Sequence, residues 1–169
     1  MVVRARPGHP TQGILTWNNH VFPCALGRGG IGMLKREGDG ATPLGTMRLI
    51  SGYHRHGRLA QLTSRLPLTR IKPDDGWCDA PGDRNYNRPV RLPYPASSER
   101  MERADHLYDC CIVLDYNISP RQRNRGSAIF FHIAKPGYLP TEGCIAVSPR
   151  TMARLLPDLS DRTVIVVRR

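Results

Sequence analysis

Aromatic residues are scarce in this sequence, with three Phe, two Trp and six Tyr among 169 residues. So few rings leave little for stacking on nucleic-acid bases, and no run of four or more basic residues provides a phosphate-tracking stripe. No stretch approaches the ~20 consecutive apolar residues of a membrane-crossing helix. The start, Met1-Val2-Val3-Arg4-Ala5-Arg6-Pro7-Gly8, has charge but no apolar segment behind it, so it predicts no secretory signal and leaves a cytoplasmic place of action open. Five cysteines (Cys24, Cys78, Cys110, Cys111 and Cys144) lack any C-x-x-C spacing, which removes the common zinc and thioredoxin-like readings. Internal repeats, low-complexity tracts and domain linkers are also missing, which predicts a single domain over 1–169.

What is abundant is turn chemistry. Sixteen Gly and fifteen Pro predict many turns and short strands, and exclude an all-helical bundle. Hydrophobic residues make up 40% and charged residues 23%, the composition of an ordinary soluble globular chain that builds its core without disulfides. The net charge is +11, and 22 of the 25 basic residues are Arg. Such a surface attracts a polyanion or simply keeps the chain in solution. The densest basic group, Arg121, Arg123 and Arg125, alternates as a solvated loop would.

The apolar segments are short and read as a mainly β domain. Residues 13–17 and 20–26, joined by Asn18-Asn19, predict a hairpin, because Asn tolerates φ > 0. A glycine-rich loop over 27–40 leads to a Thr42-Pro43-Leu44-Gly45 turn and a strand over 46–50. Residues 110–116 and 127–134 read as strands buried on both faces. Ser148-Pro149 is an N-cap followed by Pro at the first helical position, opening a short helix to Leu156, and 163–167 closes the chain as a strand. Residues 72–95, dense in Pro, Gly, Asp and Asn, predict a long loop insertion with a functional role.

Chemistry concentrates in two segments. His132 lies inside an apolar strand, and twelve positions on Cys144 follows Gly143 in Thr141-Glu142-Gly143-Cys144-Ile145. A strand, a loop and a second strand bring His and Cys together, where an imidazolium lowers the thiol pKa and makes a nucleophile. The amides of Gly143 and Cys144 are placed to hold an oxyanion. Spacing alone leaves open that His132 is a satisfied core histidine and Cys144 an inert buried thiol.

His132 followed by Thr141-Glu142-Gly143-Cys144-Ile145 resembles the signature of the YkuD-type L,D-transpeptidases, a His followed by Ser/Thr-His-Gly-Cys and an apolar residue. Upstream, Ala41-Thr42-Pro43-Leu44-Gly45-Thr46-Met47 is similar to the Thr-Pro-x-Gly turn and strand of that family. The two motifs stand about a hundred residues apart in the family's order, and the resemblance runs from Trp17 to Val167.

The resemblance implies a β-sandwich-like catalytic domain with one or two short helices, acting on peptidoglycan stem peptides in the periplasm or cell envelope. Cys144 is then the nucleophile, His132 its base, Gly143 part of the oxyanion hole and Thr141 a hydrogen-bonding support. A thioester acyl-enzyme would be captured by an amine of another stem, giving 3-3 or 1-3 cross-links. Water as acceptor would make an L,D-carboxypeptidase or amidase, and a non-catalytic basic module is the third reading. No metal, organic cofactor or nucleic-acid partner is implied. Two positions depart from the family: Glu142 replaces the usual His, and Ala146 the usual Asn or Arg. A carboxylate at 142 raises the thiol pKa if it points inward, and is harmless if it faces away or pairs with an Arg.

Trp77, Tyr86, Arg88 and Arg91 in the 72–95 segment, and Tyr138 between the catalytic pair, are the remaining candidates for substrate contact, beside Thr141 and Glu142. The alternative is a surface loop pinned by Trp77 in a small satellite core, with Tyr138 a plain loop aromatic. Cys78, flanked by aspartates, is a poor nucleophile, and Cys24, Cys110 and Cys111 read as packing residues. His54, Arg55 and His56 predict a solvated polar turn, and His106 beside Cys110 and Cys111 makes a poor metal site.

Overall fold

Asn18 and Asn19 both take positive φ, 45° and 64°, the conformation a two-residue hairpin turn demands. They join two of the fourteen strands in the computed structural model, which describes residues 1–58 and 63–169. In chain order the strands begin with β1 (Val2–Arg6), β2 (His9–Trp17), β3 (His20–Ala25), β4 (Ile31–Gly32), β5 (Thr42–Pro43), β6 (Gly45–His54) and β7 (Leu68–Arg70). There follow β8 (Asp75–Cys78), β9 (Arg88–Arg91), β10 (Ser98–Arg100), β11 (Cys110–Leu114), β12 (Phe130–Ile133), β13 (Ile145–Val147), the helix α1 (Pro149–Leu155) and β14 (Val164–Arg168). The architecture is mainly β, with one short α-helix among the described residues.

The main sheet runs β11-β12-β13-β3-β2-β1-β14-β6, and β6 pairs back onto β11, so the ladder closes on itself. Closure follows from the length of β6. Its first residues, Gly45 to Arg48, pair with β14, while Leu49 to His54 pair with β11. β7 adds in parallel along the end of β6. Closing the ring satisfies backbone groups that a free edge would expose. Inside lie Leu15, Leu49, Ile112, Phe131, Ile145 and Ile165, with Met152 and Leu155 of α1 packed against them. Ser148 caps α1 by accepting from Thr151 N at 3.1 Å, with Pro149 at its start.

The site owes its position to the two faces of β11 and β12. Strand side chains alternate, so Cys110, Ile112, Leu114, Phe131 and Ile133 enter the main core. Cys111, Val113, Phe130 and His132 take the other face. There Trp77, Met101 and Tyr108 build a second apolar cluster around Cys144. A separate three-stranded sheet, β10-β8-β9, supplies Trp77, whose ring meets Phe130 edge-on at 5.1 Å between centroids.

Several expectations change. Residues 72–95 are not one loop but carry β8 and β9, strands of four residues, too short for a hydrophobic period to register. The strand expected over 127–134 starts only at Phe130, because Gly126 and Ala128 take φ of 94° and 50° and bend the chain. Thr42-Pro43, expected as a turn, pairs with Ile31-Gly32. Arg55, expected in a solvated turn, is half-buried and donates to the Arg103 carbonyl at 2.7 Å.

Candidate active site

His132 projects from β12 beneath Tyr108, whose ring lies edge-on at 5.4 Å. Its Nδ1 sits 2.8 Å from the Ile133 carbonyl, an acceptor only, so Nδ1 carries the hydrogen and Nε2 is left with a free lone pair. Burial pulls the imidazole pKa down to about 4, against the opposing pull of the Ile133 carbonyl.

Cys144 stands just ahead of β13, which lies parallel to β12 in the register Phe131↔Ile145 and His132↔Ala146. That register sets Cys144 beside Phe130, two residues along the ladder from His132 and on the same face. Ala146, directly beside the imidazole, contributes only a methyl. The Cys144 thiol donates to the Ala128 carbonyl at 3.1 Å and accepts from Phe130 N–H at 3.3 Å. The bend at Ala128, which shortens β12, is what aims that carbonyl at the sulfur. Burial pushes the thiol up to about 12, and the Glu99 carboxylate adds to this while Phe130 N–H and Lys35 oppose it. The expected imidazolium beside a lowered thiol is therefore corrected. Both groups are neutral in the resting site, because burial disfavours either charge.

The loop into Cys144 is stitched to the segment after β3. Thr141 N donates to Leu26 O at 2.9 Å, and Arg28 N donates to Thr141 O at 2.8 Å. The Thr141 hydroxyl donates to Cys144 O at 2.6 Å and accepts from Gly143 N at 3.2 Å. Gly143 takes φ of 129°, and a Cβ there would come within 2.9 Å of the Ala41 carbonyl. The Gly143 N–H, expected to face an oxyanion, is thus engaged by Thr141 in the resting state, and the close approach is to Ala41. Glu142 points outward and accepts from Arg28 Nε at 2.7 Å.

Cys144, His132, Thr141 and Glu142 line one cavity of about 460 Å³. Its walls carry both signs of charge, with Arg103 and Lys135 against Glu37, Asp79 and Glu99. The other expected contact residues lie off this wall. Trp77 is buried and donates from Nε1 to Asn87 at 2.9 Å. Tyr86 is 1% exposed, with its hydroxyl on the Glu37 carboxylate. Arg88 is exposed on β9, Arg91 pairs with Asp74 and Asp75, and Tyr138 sits at φ of 54° in the turn after Gly137. Trp77 and Tyr86 therefore act behind the wall, on Phe130 and Glu37.

Sequence reasoning missed Tyr108, Glu99 and Arg103. The Tyr108 hydroxyl donates to Glu99 at 2.6 Å, and the Arg103 guanidinium sits over the Tyr108 ring at 5.2 Å. These three back the imidazole, and only their proximity in the fold reveals it. Cys24, Cys78, Cys110 and Cys111 are buried free thiols, each raised first by burial. His106 pairs with Asp109 at 2.8 Å, and no group of three metal-ligating side chains occurs among the described residues.

Compared with known proteins, residues 10–167 match the family model YkuD, described as the L,D-transpeptidase catalytic domain. No curated protein matches the chain.

Proposed function

The chain belongs to the YkuD family of L,D-transpeptidase catalytic domains, and on that premise we propose that it is a cysteine acyltransferase of peptidoglycan stem peptides. What carries the reading is one juxtaposition: Cys144 and His132 open on the same cavity, with the His132 tautomer fixed so that Nε2 is free.

The reaction starts from the neutral pair. As Sγ attacks the carbonyl carbon between an L and a D residue, the thiol proton passes to His132 Nε2. The Cys144 amide faces the growing oxyanion, joined by Gly143 N–H if Thr141 releases it. The imidazolium then gives the proton to the departing amine, the C–N bond breaks, and a thioester remains on Cys144. An amine of a second stem attacks the thioester, loses its proton to His132, and expels the thiolate, which is reprotonated. A buried neutral pair suits this course, because charge develops only when substrate fills the cavity and excludes water. On the cavity wall Lys135 suits a carboxylate of a stem peptide and Asp79 the ammonium of an acceptor, while Arg103 is held by Asp105 and Glu99.

The place of action that follows is the cell envelope. Product analysis of defined muropeptides tests the assignment. Cross-linked dimers identify the transpeptidase and fragmentation gives the 3-3 or 1-3 linkage, whereas shortened monomers alone mean that water is the acceptor.

A further inference from the structure

Only three of the 25 basic residues are lysines, and one of them, Lys35, is buried, with a side chain 3% exposed. Sequence reasoning placed it in a glycine-rich loop and gave it no role. The fold gives it a channel. Gly126 takes φ of 94°, and a Cβ there would collide with Cε, Cγ and Cδ of Lys35 at 2.8, 3.0 and 3.2 Å. Beyond Gly126 the lysine head reaches the nucleophile's turn, where Nζ lies 3.5 Å from the position a Gly143 Cβ would take. Gly126 thus clears the path of the stem, and the head ends in van der Waals range of Gly143. The broad planar head of an Arg would not pass where the thin lysine stem does.

A buried ammonium is costly unless it is paired. Asp39 accepts from Nζ at 2.6 Å, and the Arg36 carbonyl lies at 3.4 Å. One of the three ammonium N–H bonds is left without a protein acceptor among the described residues. Asp39 itself is fixed by Arg36 N–H at 2.7 Å and Ala41 N–H at 2.8 Å, and the Ala41 carbonyl is the group that abuts Gly143. Lys35, Asp39 and the Cys144 turn are therefore one connected unit.

We propose that Lys35 is a positioning residue for the nucleophile, holding a buried positive charge behind Gly143 that favours Cys144 as its sulfur becomes a thiolate. The inference rests on Cys144 being the nucleophile. The other groups around the sulfur are His132 from β12, Cys111 from β11, Tyr108 ahead of β11, Glu99 from β10, and Glu142 in its own loop. Glu99 and Glu142 oppose the thiolate and Lys35 favours it, while Arg103 and Lys135 stand on the wall of the same cavity.

The test is alkylation of Cys144 by iodoacetamide from pH 7 to 10, read by mass spectrometry in wild type, Lys35→Met and Asp39→Asn. Lys35→Met keeps the stem and removes the charge, so the rate falls about tenfold at every pH, a parallel shift of the log rate line. Asp39→Asn leaves Lys35 without its counter-charge, so the rate rises. Opposite signs are the signature, because a purely structural ion pair would move both variants the same way. An Asp39→Asn rate that does not exceed wild type overturns the proposal, even if Lys35→Met fails to fold. Alkylation needs no peptide. A wild type that alkylates but makes neither cross-linked nor shortened product would refute the enzymatic reading and leave this test intact.

Discussion

Arg28 holds Glu142 by a 2.7 Å hydrogen bond from Nε to Oε2, two residues ahead of Cys144. The carboxylate that replaces the family's usual His is thereby turned away from the sulfur. Arg28 has room to do this because Gly40, at φ of 64°, lacks the Cβ that would lie 2.5 Å from its Cγ, and its Nη2 also donates to the Gly38 carbonyl.

Because Glu142 is 77% exposed and its partner 54%, solvent screens the pair. Glu142→Gln is expected to change stability by no more than about 0.5 kcal/mol. It should speed Cys144 alkylation by less than about threefold, the effect of removing a screened charge. Urea titration and iodoacetamide kinetics measure the two effects. A rise above about tenfold would place the carboxylate against the thiol instead.

Thr141 ties the turn through two hydrogen bonds from one oxygen. Thr141→Val keeps the shape but leaves Cys144 O and Gly143 N without that partner, at an expected cost of about 1–3 kcal/mol. Turnover should fall by about tenfold with it, as the sulfur loses its fixed position. Thr141→Ser retains the hydroxyl and should stay within about threefold of wild type in turnover. Equal losses in both variants would mean that the methyl, not the hydroxyl, is what matters.

The pH dependence of stability has a worked sign on each side. His132 titrates at about 4 when folded, against 6.5 for the free side chain. Between those values the unfolded chain binds the extra proton, so stability is lost as pH falls from 6.5 through 4, by on the order of 3 kcal/mol. The thiols of Cys24, Cys110 and Cys144 move the other way, from 9.0 up to about 12. Their contribution is complete below pH 9 and is lost as pH rises through 12, because the unfolded chain gives up those protons first. Urea titrations at pH 7, 5.5 and 4 should show the acid loss in wild type and a flatter curve in His132→Gln. Identical acid limbs in the two proteins would contradict the depressed imidazole.

How much of this was legible follows from the range of each interaction. The hairpin turn at Asn18-Asn19 and the capped start of α1 are local, and both read directly from neighbouring residues. The run over 110–116 read as a strand buried on both faces; the strand stops at Leu114, and Cys110 and Cys111 do face different clusters. β1 went unread, because Val2 to Arg4 gain their place by pairing with Val166 to Arg168 at the far end of the chain. At the site, His132 and Cys144 were found by their motif. Lys35 was invisible because a lysine four residues before an aspartate in a glycine-rich loop looks like a solvated pair. Only the folded positions of Gly126 and Gly143 show that it is buried. Tyr86 read as a surface aromatic for the same reason, since what covers it lies on distant segments, whereas Trp77 sits in a second, smaller cluster as the alternative reading of that loop had it.

The most direct test is mass spectrometry of defined muropeptides incubated with wild type and with Cys144→Ala. The account predicts products containing a new peptide bond in the wild-type reaction, a thioester adduct on wild-type protein alone, and neither with Cys144→Ala. Turnover by a folded Cys144→Ala protein, or no adduct and no product from folded wild type, would contradict it.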